Sequence, residues 1–249
     1  MPDITFLAAK DVAEDKAIQP EPAKLHLPEW YKKIPLKLKH DRVGLTIKAC
    51  MPFQDSLMAG YILKNPIDQQ FNFLTPDEDG NEHISVDVNK KLEDFLKYNQ
   101  LSYNINTGVE THPIEQVGGE EGGCPFVKMN ANRAFYKIIN PFSMILPPGY
   151  SVLFCPLLNR PEPRFTIISG IVDEGYNLPT NFPIVLRQKG TWLLKKGEPI
   201  VGVIPFKREK WKMNIKIKNK EQYESSYFQY ATKLKRWYRD NIWKRKQWD

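Results

Sequence analysis

Short apolar runs separated by turn-forming residues fill the middle of the chain, between residues 140 and 211. These runs are too short for helices and are bounded by proline, glycine and asparagine, which is typical of strands. Pro147-Pro148-Gly149 predicts a tight corner, because proline fixes φ and glycine accepts a positive φ. The pattern therefore predicts strands at residues 143–146, 150–154, 165–168, 182–186, 192–194 and 200–206.

The part of the chain before this block shows similar patterns. Acidic residues and a glycine at residues 76–81 predict a hairpin turn between strands at 71–74 and 84–88. Four prolines between residues 20 and 35 indicate a connector on the surface, with Trp30 as the core anchor of a short helical turn. Further strands are predicted at residues 4–7, 45–49, 61–63, 125–129 and 133–142.

Short strands, frequent corners and little helical periodicity predict a mainly-β fold, either a jelly roll or a β-clip barrel. We expect an N-terminal extended arm and Pro-rich connector over residues 1–40. The barrel domain is expected over residues 41–219, with an insertion near residues 64–140. Residues 220–249 are expected to form a basic, aromatic and amphipathic C-terminal helix.

Composition narrows the class of protein. Hydrophobic residues make up 41% of the 249 residues, which is enough for a packed core. No apolar run approaches the ~18 residues of a membrane span, and the acidic N-terminus lacks the basic region of a signal peptide. Cys50, Cys124 and Cys155 lie far apart without a C-x-x-C pair, which argues against disulfides and a zinc site. These features predict a soluble intracellular protein.

Two polar segments carry residue types that bind metals in other proteins. Asp77, Glu78 and Asp79 lack the later bidentate Glu of a calcium loop, so a solvated turn is the favoured interpretation. His112 and Glu115 lie three residues apart without a second ligand cluster, and a hydrogen-bonded loop is favoured there. We therefore predict no metal and no cofactor.

Four motifs resemble those of the trimeric dUTPase and dCTP deaminase superfamily. They are residues 59–63 (AGYIL), 148–150 (PGY), 170–176 (GIVDEGY) and 197–202 (GEPIVG). The resemblance implies a β-clip architecture. It also implies that Asp173 orients an attacking water molecule and that Tyr176 packs on the face of a pyrimidine.

The residues that hold phosphate in that superfamily are replaced at the matching position. Residues 157–159 (LLN) follow Pro156, where the family has an arginine and a serine. Binding a triphosphate requires cations and hydrogen-bond donors, which leucine side chains do not supply. We therefore favour a structural hairpin for Asp173 and Tyr176. A diverged dUTPase-like nucleotide hydrolase or nucleotide-binding protein is the alternative.

A second resemblance extends over nearly the whole chain. The segments LPEWYKK, TIKACMPFQDSLMAGYI, HPIEQVGG, INPFSMILPPGYSVLF and LLKKGEPIVGVIPFKREKWKM, together with the GIVDEGY hairpin, are similar to an uncharacterised family. That family is encoded mainly by tailed phages, many of them T4-like. The resemblance implies a phage setting, with the protein in the virion or in the host cytoplasm.

Basic charge is concentrated in the C-terminal part of the chain. The net charge is +7, and residues 207–249 hold fourteen basic against five acidic residues, so the remainder is slightly acidic. Aromatic residues recur in the tail at helical spacing with cations between them, which serves either nucleic-acid binding or docking on protein. Trp243 and Trp248 are expected to need a partner surface. The candidate binding residues are Lys233, Arg236, Trp237, Arg239, Trp243, Lys244 and Arg245.

The preferred hypothesis is a non-catalytic phage protein that acts through protein–protein contacts or self-association, as a virion structural or assembly component. The alternatives are the nucleotide hydrolase described above and nucleic-acid binding through the basic tail. No contact with a membrane is expected.

Overall fold

Strands prevail in the computed structural model, which describes residues 2–38, 45–76, 78, 83–88, 109–112, 114–118, 124–130, 135–176, 178–233 and 237–248. The strands are β1 (Thr5–Leu7), β2 (Glu21–Pro22), β3 (Tyr61–Lys64), β4 (Gln69–Phe73), β5 (Ile84–Val88), β6 (Val109–His112), β7 (Phe135–Ile138), β8 (Ser143–Ile145), β9 (Tyr150–Cys155), β10 (Phe165–Ile167), β11 (Gly170–Asp173), β12 (Phe182–Leu186), β13 (Thr191–Leu194) and β14 (Pro199–Lys207). The helices are α1 (Lys10–Glu14), α2 (Glu29–Lys33), α3 (Met51–Met58), α4 (Pro125–Met129), α5 (Lys220–Lys233) and α6 (Trp237–Asn241), with 3-10 turns at Ala23–His26, Ile47–Ala49 and Ile114–Val117.

The strands pair into antiparallel sheets with the orders β11-β9-β14-β3-β2, β10-β12-β7-β6, β13-β4-β5 and β1-β8. The mainly-β class is therefore confirmed. Each sheet is an open row of strands with two ends, so the part of the chain that the structure describes contains no closed barrel.

One hydrophobic core joins the three larger sheets. Val203 of β14, Ile184 of β12 and Phe71 of β4 are fully buried in it. Val12 and Ile18, from the N-terminal segment, are fully buried in the same core. The N-terminal segment that precedes the Pro-rich connector therefore contributes apolar side chains to the core.

The strands predicted in the apolar block are confirmed, with shifts of at most one residue at their ends. The predicted hairpin pairing between residues 71–74 and 84–88 is also confirmed, since β4 and β5 pair along their whole length. Period-2 alternation is a strong local signal when one face of a strand is buried, which explains this agreement.

Three local predictions are wrong. Residues 125–129 form helix α4, whose first position is a proline that loses no hydrogen bond there. Residues 47–49 form a 3-10 turn, and the Thr46 side chain accepts a hydrogen bond from the second amide of that turn. Trp30 is 42% exposed, and its neighbour Tyr31 is the buried residue of helix α2. Successive side chains on a helix point about 100° apart, so only one of the two can face the core.

No helix in the described residues is long and apolar enough to cross a membrane.

Candidate functional site

The hairpin that carries Asp173 and Tyr176 lies at one end of the five-stranded sheet. Asp173 ends β11 and is the register partner of Ser151 on β9. The corner before β9 reaches the same place, because the Arg208 amide donates to the Gly149 carbonyl at 2.8 Å. The sheet thus brings together the hairpin, the corner and the residue that follows β14.

Asp173 is held by two neighbours. Its Oδ1 accepts a hydrogen bond from Ser151 Oγ at 2.6 Å and lies 3.2 Å from Arg208 Nη1. The Ser151 hydrogen bond, with the Arg208 charge as a further cause, holds the pKa of Asp173 below its ordinary value. A carboxylate with a lowered pKa is a weak general base near neutral pH. These contacts fasten the hairpin to the sheet.

Glu174 and Arg208 complete this charged cluster, and the sequence motifs gave no signal for either. Glu174 Oε1 accepts a hydrogen bond from the Gly149 amide at 3.1 Å and another from Arg208 Nη2. The amide hydrogen bond is the larger cause that lowers the pKa of Glu174. Only the register of β9, β11 and β14 brings the guanidinium to both carboxylates.

Tyr176 lies on the exposed side of the hairpin turn. Tyr176 is 47% exposed, and its backbone amide donates a hydrogen bond to the Asp173 carbonyl at 3.4 Å. Gly175 supplies the positive φ, 91°, that the turn requires. Within the described residues no second aromatic ring packs on Tyr176. The turn is complete without a ligand.

The segment that follows Pro156, at the position of the phosphate-binding turn in the dUTPase superfamily, is hydrogen-bonded to other parts of the same chain. Asn159 has a φ of 55°, and its Nδ2 donates to Ser56 Oγ of helix α3 at 2.6 Å. Arg160, which sequence reasoning missed, donates from Nη2 to the carbonyls of Ala23 at 3.2 Å and Leu57 at 2.7 Å. Burial lowers the pKa of Arg160. This arginine joins three segments of backbone.

Two cavities adjoin Arg160. One has a volume of about 410 Å³ and extends toward Phe165. The other, of about 790 Å³, lies between Trp30 and Glu198. Glu198 is paired with Arg164 at 2.7 Å, and Arg160 already donates to two carbonyls. Glu162, which lines the first cavity, is also paired with Arg164, so these three charged groups are engaged within the protein.

A second charged cluster, also missed from the sequence, joins β2 to β3. The Lys64 side chain is only 5% exposed, and its Nζ lies 2.9 Å from Glu21 Oε2. His26 Nε2 contacts the same carboxylate oxygen. The hydrogen bond from Lys64 is the largest cause that lowers the pKa of Glu21. The pairing of β2 with β3 brings Glu21 and Lys64 together, and sequence spacing alone gives no hint of it.

Four of the predicted tail residues, Arg239, Trp243, Lys244 and Arg245, have described side chains. Arg239 Nε donates to its neighbour Asp240 at 3.0 Å, and Lys244 and Arg245 are exposed. Helix α6 ends at Asn241, so residues 243–248 are not helical. The side chains of Lys233, Arg236 and Trp237 lie outside the described part of the chain.

The end of the tail rests on the body of the same chain, where the sequence favoured a partner. Trp243 Nε1 donates to Asp55 Oδ2 of helix α3 at 2.8 Å. Lys246 Nζ lies 2.6 Å from the same oxygen. Trp248 meets Tyr61 edge-on, with 6.2 Å between the ring centroids.

Residues 209–218, hereafter the arm, connect β14 to the tail; they are exposed and have no regular secondary structure. Four apolar residues alternate along the arm: Trp211 is 87% exposed, Met213 84%, Ile215 87% and Ile217 98%. Lysines and an asparagine occupy most of the positions between and beside them. Period-2 alternation over these residues is the signal that identifies a strand-like segment, and the sequence analysis missed it.

Metal binding finds no support in the described residues, which contain no group of three His, Cys, Asp or Glu side chains placed to hold an ion. Asp77, Asp79 and the side chain of His112 lie outside the described part of the chain.

Comparison with known proteins gives little further information. No protein-family model matches the chain, and no curated protein matches it. Among solved structures, a mutant dUTPase from phage phi11 of S. aureus, which coordinates a structural Mg(II) ion, is similar at 15% sequence identity and a TM-score of 0.26. The match covers 34% of this chain and 74% of that chain. A likeness of this size carries no conclusion about the chemistry of the present chain.

Proposed function

We propose that this chain is a non-catalytic protein that acts through protein–protein contacts, as a structural or assembly component of a tailed-phage virion. The observation that carries the proposal is the arm, whose four large apolar residues are 84–98% exposed. Soluble proteins rarely leave aligned apolar side chains in water, and such surface is typical of interaction segments. The arm therefore favours a partner protein.

The charged hairpin supports a structural rather than a catalytic role. Asp173 and Glu174 share one guanidinium, that of Arg208, and each accepts a further hydrogen bond from Ser151 or Gly149. A phosphate-binding site needs cations that are free to meet phosphate oxygens. Arg208 is committed to carboxylates and Arg160 to backbone carbonyls, so neither is positioned for that task.

For the architecture, we propose a β-clip or jelly-roll arrangement with the basic tail folded back on it. The shared core of the three larger sheets supports this arrangement. The phage setting follows from the sequence resemblance over most of the chain.

Purified particles provide the test. Quantitative mass spectrometry of phage particles, washed in high salt and banded on a density gradient, is expected to find this chain at a fixed copy number per particle. A non-structural protein of the same phage serves as the control and should wash out. Absence of the chain from particles overturns the virion role. Release of pyrophosphate from dUTP or dCTP by the native chain, lost in Asp173→Ala, overturns the non-catalytic role.

A further inference from the structure

The arm has the residue pattern of a strand but belongs to no sheet. Its apolar residues, at 211, 213, 215 and 217, would all point to one side of an extended chain, and its lysines to the other. Within the described residues, no main-chain amide of the arm is hydrogen-bonded to another part of the protein. Unpaired backbone and aligned apolar side chains together are what an edge of another sheet satisfies.

The arm leaves its own sheet for a clear reason. Strand β14 lies between β9 and β3, and Lys207, its last residue, has Tyr150 of β9 as its register partner. Before Tyr150 the chain turns away at Gly149, preceded by two prolines that lack N–H donors. The Arg208 amide donates to the Gly149 carbonyl, and no further β9 backbone is available beyond it. The arm is therefore directed out of the sheet.

An apolar row on the same sheet is exposed at its outer end and half-buried further in, at Leu153 and Ile204. Strand β11 is one end of the row of strands, and Ile171 in it is 63% exposed. Leu153 of β9 is the register partner of Ile171, and Ile204 of β14 is the register partner of Leu153. Direct register partners share a face of a sheet, so these three side chains form a continuous row. Phe206, two residues beyond Ile204 on the same face, lies in the neighbouring row with Ser151 and Asp173 and is 37% exposed.

Two other sheet ends in the described residues are less suited to accept a strand. Strand β2 consists of Glu21 and Pro22, and proline cannot donate to a ladder. At β13, the Leu193 carbonyl already accepts a hydrogen bond from Arg164 Nη1 at 2.6 Å. Strand β11 contains no proline, and the side chain of Ile171 on it is exposed.

Charge also favours a second copy of this chain as the partner. Residues 207–220 hold seven basic residues and one acidic residue, whereas residues 1–206 hold two more acidic than basic residues. The arm of one copy would thus meet a body of opposite net charge. Arm and acceptor lie on the same chain, so two copies can satisfy each other without a third component.

We propose that the arm of one copy adds as a strand to β11 of a second copy, with its apolar side chains on the row that begins at Ile171. The inference rests on the proposed protein-contact function and names the partner. Two exchanged arms with their acceptor rows remove on the order of 1,000 Å² of apolar surface, comparable with the lower range of stable interfaces.

Sedimentation equilibrium of the full-length chain, after nuclease treatment, tests the proposal. We expect the native chain to associate, and Ile215→Asn/Ile217→Asn to weaken the association by at least about tenfold in Kd. Ile171→Asn should weaken it similarly. All three positions are well exposed, so the variants should keep the native circular dichroism spectrum and unfolding temperature. The matched control Lys216→Gln/Lys218→Gln changes the opposite side of the arm and should associate more like the native chain.

A mixing experiment separates strand exchange from other modes of association. The arm variant retains an intact acceptor, and the Ile171→Asn variant retains an intact arm. Mixed together, they should form a complex that neither forms alone. The proposal is overturned if the native chain stays monomeric to about 100 μM. It is also overturned if the lysine variant loses association as strongly as the isoleucine variant, or if mixing restores nothing. Each outcome is independent of whether the chain is found in virions.

Discussion

Replacing Glu21 by glutamine is expected to destabilise the fold through its effect on Lys64. The Lys64 side chain is 5% exposed, and the carboxylate of Glu21, 2.9 Å from its Nζ, is the acidic partner that the described residues provide. Glutamine keeps the size of the side chain and one oxygen acceptor but removes the negative charge. The ammonium group of Lys64 would then be buried beside a neutral amide.

The size of the effect follows from the burial of the two partners. Removing one member of a fully buried ion pair costs about 3–5 kcal/mol, because the remaining charge has lost both water and its partner. The Glu21 side chain is 34% exposed, so water already screens part of the attraction. We therefore expect the free energy of unfolding to fall by about 2–3 kcal/mol at neutral pH.

The pH dependence of the free energy of unfolding provides an independent test of this destabilisation. The pKa of Glu21 is lowered from 4.5 in the folded chain, so its contribution is fully present above pH 4.5. That contribution is lost as the pH falls through the folded pKa. The difference between native and Glu21→Gln chains in urea unfolding should therefore shrink in acid.

Two controls sharpen the assay. Glu29→Gln removes an exposed partner of Lys32 with a similar distance, 2.7 Å, and should leave the free energy of unfolding nearly unchanged. Adding Lys64→Met to Glu21→Gln removes the buried charge and should recover at least half of the loss. A Glu21→Gln chain as stable as the native one at pH 7 would refute the argument, as would a deficit that persists undiminished in acid.

Two further substitutions test the backbone and the hairpin. Gly60→Ala places a Cβ 2.1 Å from the Val203 carbonyl oxygen at a φ of 67°, and thermal unfolding should report a loss of about 3 kcal/mol or more. Gly149→Ala, with a φ of 81° but open space around the Cβ, is its control and should lose only about 1 kcal/mol. Asp173→Asn should lower the unfolding temperature at neutral pH, because the Arg208 contact is weakened. This difference in unfolding temperature should fade as the pH falls below 3.8, since the pKa of Asp173 is lowered from that value. A difference that does not change with pH would contradict the conclusion that the charge of Asp173 stabilises the hairpin.

Local pattern predicted the strands of the central block well because each predicted strand buries at least one apolar side chain. Strands β9, β12 and β14 have fully buried residues at alternating or consecutive positions, and the sequence marks them as apolar. Helix α4 was predicted as a strand because five residues are too few to show a hydrophobic periodicity. Its proline at the first helical position is compatible with the start of a helix but also with a turn before a strand. Tyr31 is the core residue of helix α2 where Trp30 was predicted. Which of the two neighbours faces the core depends on how the short helix is rotated about its axis, and no local sequence pattern determines that rotation.

Charged contacts were beyond the reach of the sequence because they depend on strand register. Asp173 was identified from a motif, but its partners Ser151 and Arg208 meet it only through the pairing of three strands. Glu21 and Lys64 meet through the pairing of β2 with β3. The arm could have been found from its alternation, because it lies between the last predicted strand, at residues 200–206, and the predicted C-terminal helix, at residues 220–249.

Backbone geometry and internal contacts account for individual residues of the dUTPase-like motifs of this chain. Gly60, in the first motif, has a positive φ and lies so close to the Val203 carbonyl that a side chain does not fit. Gly202, in the last motif, has the Cys155 Sγ 3.4 Å from where its Cβ would lie. Gly60 therefore allows β14 to pack closely against the start of β3, whereas a Cβ at Gly202 would make an ordinary contact. The acid in the hairpin motif, Asp173, fastens two strands through Ser151. Close packing of the backbone thus accounts for the glycine of the first motif, and a contact between strands accounts for the acid of the hairpin motif.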